Sequence, residues 1–262
     1  MTATQTVIEI GPFQLALCLG FVCLAGATSF YHKLDLGRDL FVGTIRTFAQ
    51  LFLMGYVLKF IFDAHYSWLV ILIYSGMVAA AAHIIKGRVK ERSIPFVKPM
   101  YVTMLLTYTL VSFLVTGVII GAEPWWTPQY FIPMGGMIIG NSMTAIAIAL
   151  DRLFSDLKSR RAEVEMKLAL GADYREASQD ILRDAVKAGM IPSINSLMAV
   201  GLVSLPGMMT GQILAGADPL IAIRYQIVVM LMIVAATSIG SLLITGLVRR
   251  KCFSTAQRLI LR

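Results

Sequence analysis

Residues 219–248 are thirty in succession with one charged side chain, Arg224. A helix needs about 20 mostly apolar residues to cross a bilayer, and this run exceeds that. The gaps between charges delimit seven such stretches, at about 12–30, 40–62, 67–85, 99–120, 129–150, 190–213 and 219–248. Seven apolar helices cannot all be hidden inside a water-soluble domain, whose own exterior must be wet. The composition agrees: 57% of the 262 residues are hydrophobic and 15% are charged, with a mean hydropathy of +0.75. In lipid, only helices and closed barrels satisfy their own backbone polar groups. The chain therefore reads as all-α, a single polytopic transmembrane domain over residues 1–262 with about seven spans.

The basic residues give an orientation. Of 23 Lys and Arg, 20 fall in four segments: 31–39, 86–98, 151–188 and the residues after span seven. The alternate connections, 63–66, 121–128 and 214–218, contain none, and neither does the leader MTATQTVIEI. That alternation is the positive-inside pattern, so the N-terminus is expected outside and the C-terminus in the cytoplasm. It also accounts for the net charge of +8 without any nucleic-acid partner. A leader with no basic residue is unlike a cleaved signal peptide, so span one is expected to remain in the membrane.

Several functions lack their residues. No Asp or Glu falls within the seven spans, whereas proton-coupled carriers place ionisable groups at mid-membrane. His32, His65 and His83 sit near three different span ends, without the spacing of a metal site, and read as interface histidines. Cys18, Cys23 and Cys252 form no thiolate motif or disulfide framework. There is no G-x-x-x-x-G-K-[ST] loop, so any ATP-driven activity needs a second chain. Arg46 lies about two turns inside span two with Gln50 one turn along on the same face. The pair reads either as a snorkelling arginine with a carboxamide partner or as a substrate contact.

Two blocks are similar: GMIIGN at 136–141 and GMMTGQ at 207–212. Residues four apart share a helix face, so Gly136 and Gly140, and likewise Gly207 and Gly211, are expected to form edges for close helix approach. About 100° around lie Met137 with Asn141 and Met208 with Gln212, and Met134 extends the first pair. Amide oxygens and thioethers are weak ligands that bind a cation and let it go, as a conducting path requires. Cross-helix packing is the alternative reading of the same side chains. Pro133 and Pro206 just upstream each free a backbone carbonyl.

The segment 151–189 is too long for a simple connection. Residues 160–170 are strong helix formers, Gly171 is placed to end that helix, and Asp173 with Glu176 makes a capping box for the next. Ala177, Ile181, Leu182, Ala185 and Val186 then mark one apolar face. A helix–turn–helix of this kind suits docking to a moving partner or lying on the inner leaflet.

Glu165, Gly171 and Ile181 keep the spacing of the E-A-A-x-x-x-G…I-x-L-P motif by which ABC importer permeases dock on their ATPase, with Met166-Lys167 and Arg183-Asp184 as departures. A longer resemblance covers nearly the whole chain. RTFAQLFLMGYVL (46–58), PMGGMIIGNSM (133–143), EVEMKLALGA (163–172) and SLMAVGLVSLPGMMTGQILAGADPLIAIRYQI (196–227) resemble the permease of the Fet-type bacterial iron-export ABC transporters, a family that includes plant aluminium-tolerance permeases. The resemblance implies an inner-membrane permease, not itself an enzyme, acting as a homodimer with a separate ATPase subunit. That subunit would bind ATP and Mg; this chain would hold no cofactor. The implied substrate is a metal cation, iron first. Glu163, Glu165, Gly171, Asp173 and Glu176 then become the expected ATPase-coupling residues. A membrane scaffold or receptor whose loop binds a soluble partner without transport is the alternative. A polytopic enzyme is a third reading, but no nucleophile–base or metal-ligand cluster supports it.

Overall fold

The computed structural model describes residues 10–261 apart from His65, Lys90 and Arg92. The interface reading of His65, and the basic residues Lys90, Arg92 and Arg262, lie outside the described residues, as does most of the leader. Ten α-helices and no strand occur among the described residues. The chain divides into two compact units, one running to Tyr66 and including Leu214–Gly216, the other holding the remainder.

In the first unit α1 (Pro12–Tyr31) packs against α2 (Gly37–Ala64). Pro12 occupies the first turn of α1, where a missing N–H costs nothing. The turn between the helices passes through Lys33 and Asp35 with φ of 52° and 54°. It is tied back by the Leu36 N–H, which donates to Ser29 Oγ at 3.0 Å. Asp39 in the first turn of α2 complements the positive end of the helix dipole.

The second unit contains α3 (Ser67–Arg88), α4 (Val97–Phe113), α5 (Pro128–Ser159), α6 (Arg161–Ala169), α7 (Tyr174–Ala177), α8 (Gln179–Ala199), α9 (Gly207–Leu214) and α10 (Pro219–Lys251). The end of α4 widens into a π-helical turn, Leu114–Ile119. Asp218 starts α10 by accepting from the backbone N–H groups of Leu220 and Ile221 at 2.7 and 3.3 Å, and Pro219 follows in the first turn. Helix α5 packs on α3, α8 and α10, and α10 packs on α4 and α8.

Among the described residues, six helices are long and apolar enough to cross a membrane: α1, α2, α3, α4 with its π turn, α5 and α10. The remaining expected span, 190–213, differs from that expectation. It consists of the second half of α8, an unwound stretch at 200–206, and the eight-residue α9. Two residues account for the break. Gly201 adopts φ 83°, which leaves the helical region, and Pro206 has no N–H to continue the ladder.

Close helix approach also falls elsewhere than the GxxxG edges suggest. A Cβ on Gly140, Gly207 or Gly211 would meet nothing within 4 Å, and one on Gly136 would meet only the flexible end of Met77 at 3.2 Å. The tight positions are Gly135 against the Tyr74 ring, Gly240 against the Tyr108 hydroxyl, and Gly189 against α5. At Gly189 a Cβ would stand 2.5 Å from the Ala145 carbonyl oxygen and 2.9 Å from Ala149 Cβ. The two tyrosines explain the first two sites. Both are fully buried, and each large ring needs a neighbour without a side chain. Tyr74 also bonds to Ser112 Oγ at 3.1 Å and packs on Phe131 with ring centroids 5.0 Å apart.

Candidate functional site

Two features project from the helical core of the second unit: a charged hairpin at 160–178 and the break at 200–206. The hairpin is built from local rules. Helix α6 ends at Ala169, Leu170 caps it, and Gly171 turns the chain with φ 97°, a conformation that favours glycine. Asp173 Oδ1 then accepts from the Glu176 N–H at 2.7 Å, and Glu176 Oε2 accepts from the Asp173 N–H at 3.1 Å. This reciprocal box satisfies two otherwise free donors at the start of α7. Asp173→Ala is expected to cost about 1 kcal/mol locally, seen as faster amide exchange over 174–177 with the membrane helices unchanged. Ala177, Ile181, Leu182 and Ala185 face inward and are buried.

The acidic residues of the hairpin are already engaged. Arg160 donates two hydrogen bonds to Glu163 at 2.8 and 2.9 Å, and Lys167 Nζ lies 2.8 Å from the same carboxylate. Arg160, and then Lys167, hold the Glu163 carboxyl down at about 2. Arg161 bonds Glu165 at 2.7 Å. Such exposed pairs add little stability, but they stiffen the hairpin and occupy Glu163 and Glu165. Lys158, at the end of α5, reaches Glu91 at 2.6 Å. With help from Ser93, this contact lowers the Glu91 carboxyl to about 2.

The final residues of the chain support the hairpin from below. Arg161 donates to the Leu261 carbonyl at 2.9 Å, and the Tyr174 N–H donates to Gln257 Oε1 at 3.1 Å. Tyr174 packs on Phe253 with centroids 5.6 Å apart. Between hairpin and tail lies a cleft of about 720 Å³ lined by Glu165, Leu168, Gly171, Gln257 and Arg258 among others. Beside it, Met166 and Leu170 stand one turn apart with 57% and 81% of their surface exposed. They are the large apolar side chains exposed on an otherwise polar, charge-rich element. From the sequence, Met166 reads only as a departure from the docking motif, and Leu170 has no role. The signal was present: an i, i+4 apolar pair on the side opposite the buried Val164.

At the break, a mainly apolar cleft of about 360 Å³ separates α8 and α9 from α10. It is lined by Val200, Gly201, Pro206, Met209, Gln226 and Met230 among others. The carbonyls of Gly201, Leu202 and Val203 accept no backbone hydrogen bond among the described residues. Non-helical backbone in a span is tolerated where it is covered by protein or lines a wet cavity, and unwound carbonyls are characteristic cation ligands in transporters.

The sequence-selected path residues are distributed rather than gathered. Met134 is fully buried and Met137 half-buried, while Asn141 is exposed, its Nδ2 donating to the Met137 carbonyl at 2.8 Å. Met208 and Gln212 are half-buried on α9, and Gln212 Oε1 is buried without a partner. No extensive contact joins α9 to α5, so the two blocks are not seen to share a wall. Arg46 and Gln50 are exposed on α2 in the other unit, and no hydrogen bond joins them. Among the described residues no three His, Cys, Asp or Glu side chains cluster to hold a metal.

The chain matches the model of the uncharacterised protein family UPF0014 over residues 12–253. It is 35% identical over 248 residues to the probable iron export permease protein FetB of Escherichia coli K12, covering 94% of each chain. It is 36% identical over 249 residues to the protein ALUMINUM SENSITIVE 3 of Arabidopsis thaliana, covering 95% of this chain and 90% of that one. A UPF0014 membrane protein of Synechocystis, slr1647, is 34% identical over 256 residues, covering 98% and 99%. No solved structure matches it.

Proposed function

Because the chain belongs to the UPF0014 family of membrane proteins, we propose that it is the permease subunit of an ABC transporter that exports a metal cation, iron first. In this reading it works as a homodimer in the bacterial inner membrane. The cation comes from the name of the relative FetB, a probable iron export permease. The driving chain is a separate ATPase that binds ATP and Mg. The N-terminus lies outside and the hairpin in the cytoplasm, following the distribution of Lys and Arg.

One observation carries the mechanical part of this reading. Helix α8 joins the hairpin to the break as one helix, from Gln179 to Ala199, with Pro192 inside it. Its first half carries Asp180, Arg183, Asp184 and Lys187 and belongs to the cytoplasmic segment. The remaining residues, 190–199, rise about 15 Å, roughly half of a ~30 Å hydrocarbon core. A push received at the hairpin would thus be passed along α8 to the unwound stretch within the membrane. Met166 and Leu170 would seat in the ATPase. Glu163, Glu165, Gly171, Asp173 and Glu176 would hold the hairpin in its docking shape. Met137, Asn141, Met208 and Gln212 remain candidates for the path, with Met134, Arg46 and Gln50 behind them. Nothing in the fold or among the relatives favours a non-transporting scaffold.

The test is ATP hydrolysis by the reconstituted permease–ATPase complex over a panel of metal ions. Stimulation by ferrous iron or a similar d-block ion is expected. Hydrolysis indifferent to every ion of the panel would remove metal export as the function.

A further inference from the structure

Gln226 is the most heavily buried carboxamide of the described chain, 5% exposed, in the first third of α10. Its Oε1 is sealed from solvent and accepts no hydrogen bond among the described residues. A buried amide oxygen without a donor is costly, and nothing in the helix packing accounts for it. The same side chain lines the cleft behind the α8–α9 break, together with Met209 and Met230. Both methionines are also more than nine-tenths buried, so their thioethers face neighbouring protein or the cleft rather than the surface. Arg224, the nearest charged residue along the chain, is exposed and two residues away, a spacing that turns it well away from Gln226 on a helix.

We propose that this cleft is a cation subsite, in which Gln226 Oε1 and the thioethers of Met209 and Met230 replace part of the hydration shell of a soft d-block ion. The proposal deepens the permease reading and rests on it for the direction of travel. Three lines converge on a cation. The amide oxygen is an acceptor lacking a positive partner. Thioethers ligate soft ions and offer little to hard ones. The adjoining backbone is unwound, and the carbonyl of Gly201, which lines the cleft, accepts no backbone hydrogen bond among the described residues, the setting in which transporters hold ions at broken helices. All of these ligands are neutral and weak, so an ion that enters can also leave. With no carboxylate in the cleft, silver or cuprous ion should bind more tightly than ferrous ion.

The experiment is equilibrium dialysis of the full chain in lipid nanodiscs against Ag(I) and, separately, Fe(II). The parent is compared with Gln226→Leu, the double variant Met209→Leu/Met230→Leu, and Met198→Leu as a control at an exposed methionine outside the cleft. The parent should bind silver, with Gln226→Leu weakening it at least tenfold, the double variant more, and Met198→Leu less than twofold. Gln226→Leu removes an unmet acceptor, so its thermal midpoint should equal or exceed the parent's, whereas a purely structural glutamine would lower it. Equal binding by all four proteins overturns the subsite. So does a parent that takes up no metal and retains a lipid acyl chain in the cleft. Metal binding that depends on these residues, in a complex that shows no ATP-driven export, would keep the subsite and remove the transport reading instead.

Discussion

Met166→Asp/Leu170→Asp is expected to abolish metal-stimulated hydrolysis by the complex and to release the ATPase during co-purification. The two side chains are the apolar points of a hairpin in which Arg160, Arg161 and Lys167 are paired with Glu163 and Glu165. Truncating an apolar anchor at the centre of an interface commonly costs 2 kcal/mol or more, roughly a thirtyfold loss of affinity. Burying two unpaired carboxylates adds a larger penalty. Neither position is buried in the chain itself, so the variant should fold as the parent does. The same experiment separates docking from attachment to the inner leaflet. A hairpin that merely lies on lipid would lose membrane contact but keep the ATPase.

Gly189→Val should be the most damaging single change to the fold among those considered. The β-carbon alone would sit 2.5 Å from the Ala145 carbonyl oxygen, and that neighbour is backbone, which cannot swing aside. Overpacking at such a site typically costs about 1–3 kcal/mol, and a branched side chain should reach the upper end. The effect reads as a lower thermal midpoint of the purified protein. Gly246→Ala is the matched control. A β-carbon there meets nothing within 4 Å, so it should be neutral or stabilise by about 0.5–1 kcal/mol through helix propensity. Gly189 lies midway along α8, between the hairpin and the break. Alanine or serine there brings the same β-carbon against Ala145 with less bulk beyond it, and should therefore weaken the link between hydrolysis and transport before it unfolds the protein.

The parts of this architecture governed by short-range rules were legible in the sequence. Gly171 ends a helix and Asp173 caps the next because both act within four residues, and both do so in the structure. The apolar runs announced membrane helices for a similar reason, since hydropathy over twenty residues is a local property. The break at 200–206 was hidden by that averaging. Val200, Leu202, Val203 and Leu205 keep the stretch apolar while Gly201 and Pro206 interrupt its backbone. The GxxxG edges misdirected because spacing shows which residues share a face, not what that face meets. Gly135 and Gly240 matter because Tyr74 and Tyr108 arrive from other helices, a fact of tertiary packing. Gln226 escaped for the same reason. A single carboxamide in a thirty-residue apolar run carries no motif, and only its burial beside Met209 and Met230 sets it apart.

Transport itself gives the most direct test. Inside-out vesicles carrying the permease and its ATPase would be supplied with ATP and labelled ferrous iron, with Met166→Asp/Leu170→Asp in parallel. ATP-dependent accumulation of iron in the lumen, absent without either subunit and absent in the variant, is the expected result. An assembled complex that hydrolyses ATP yet accumulates neither iron nor any other metal ion would contradict the account.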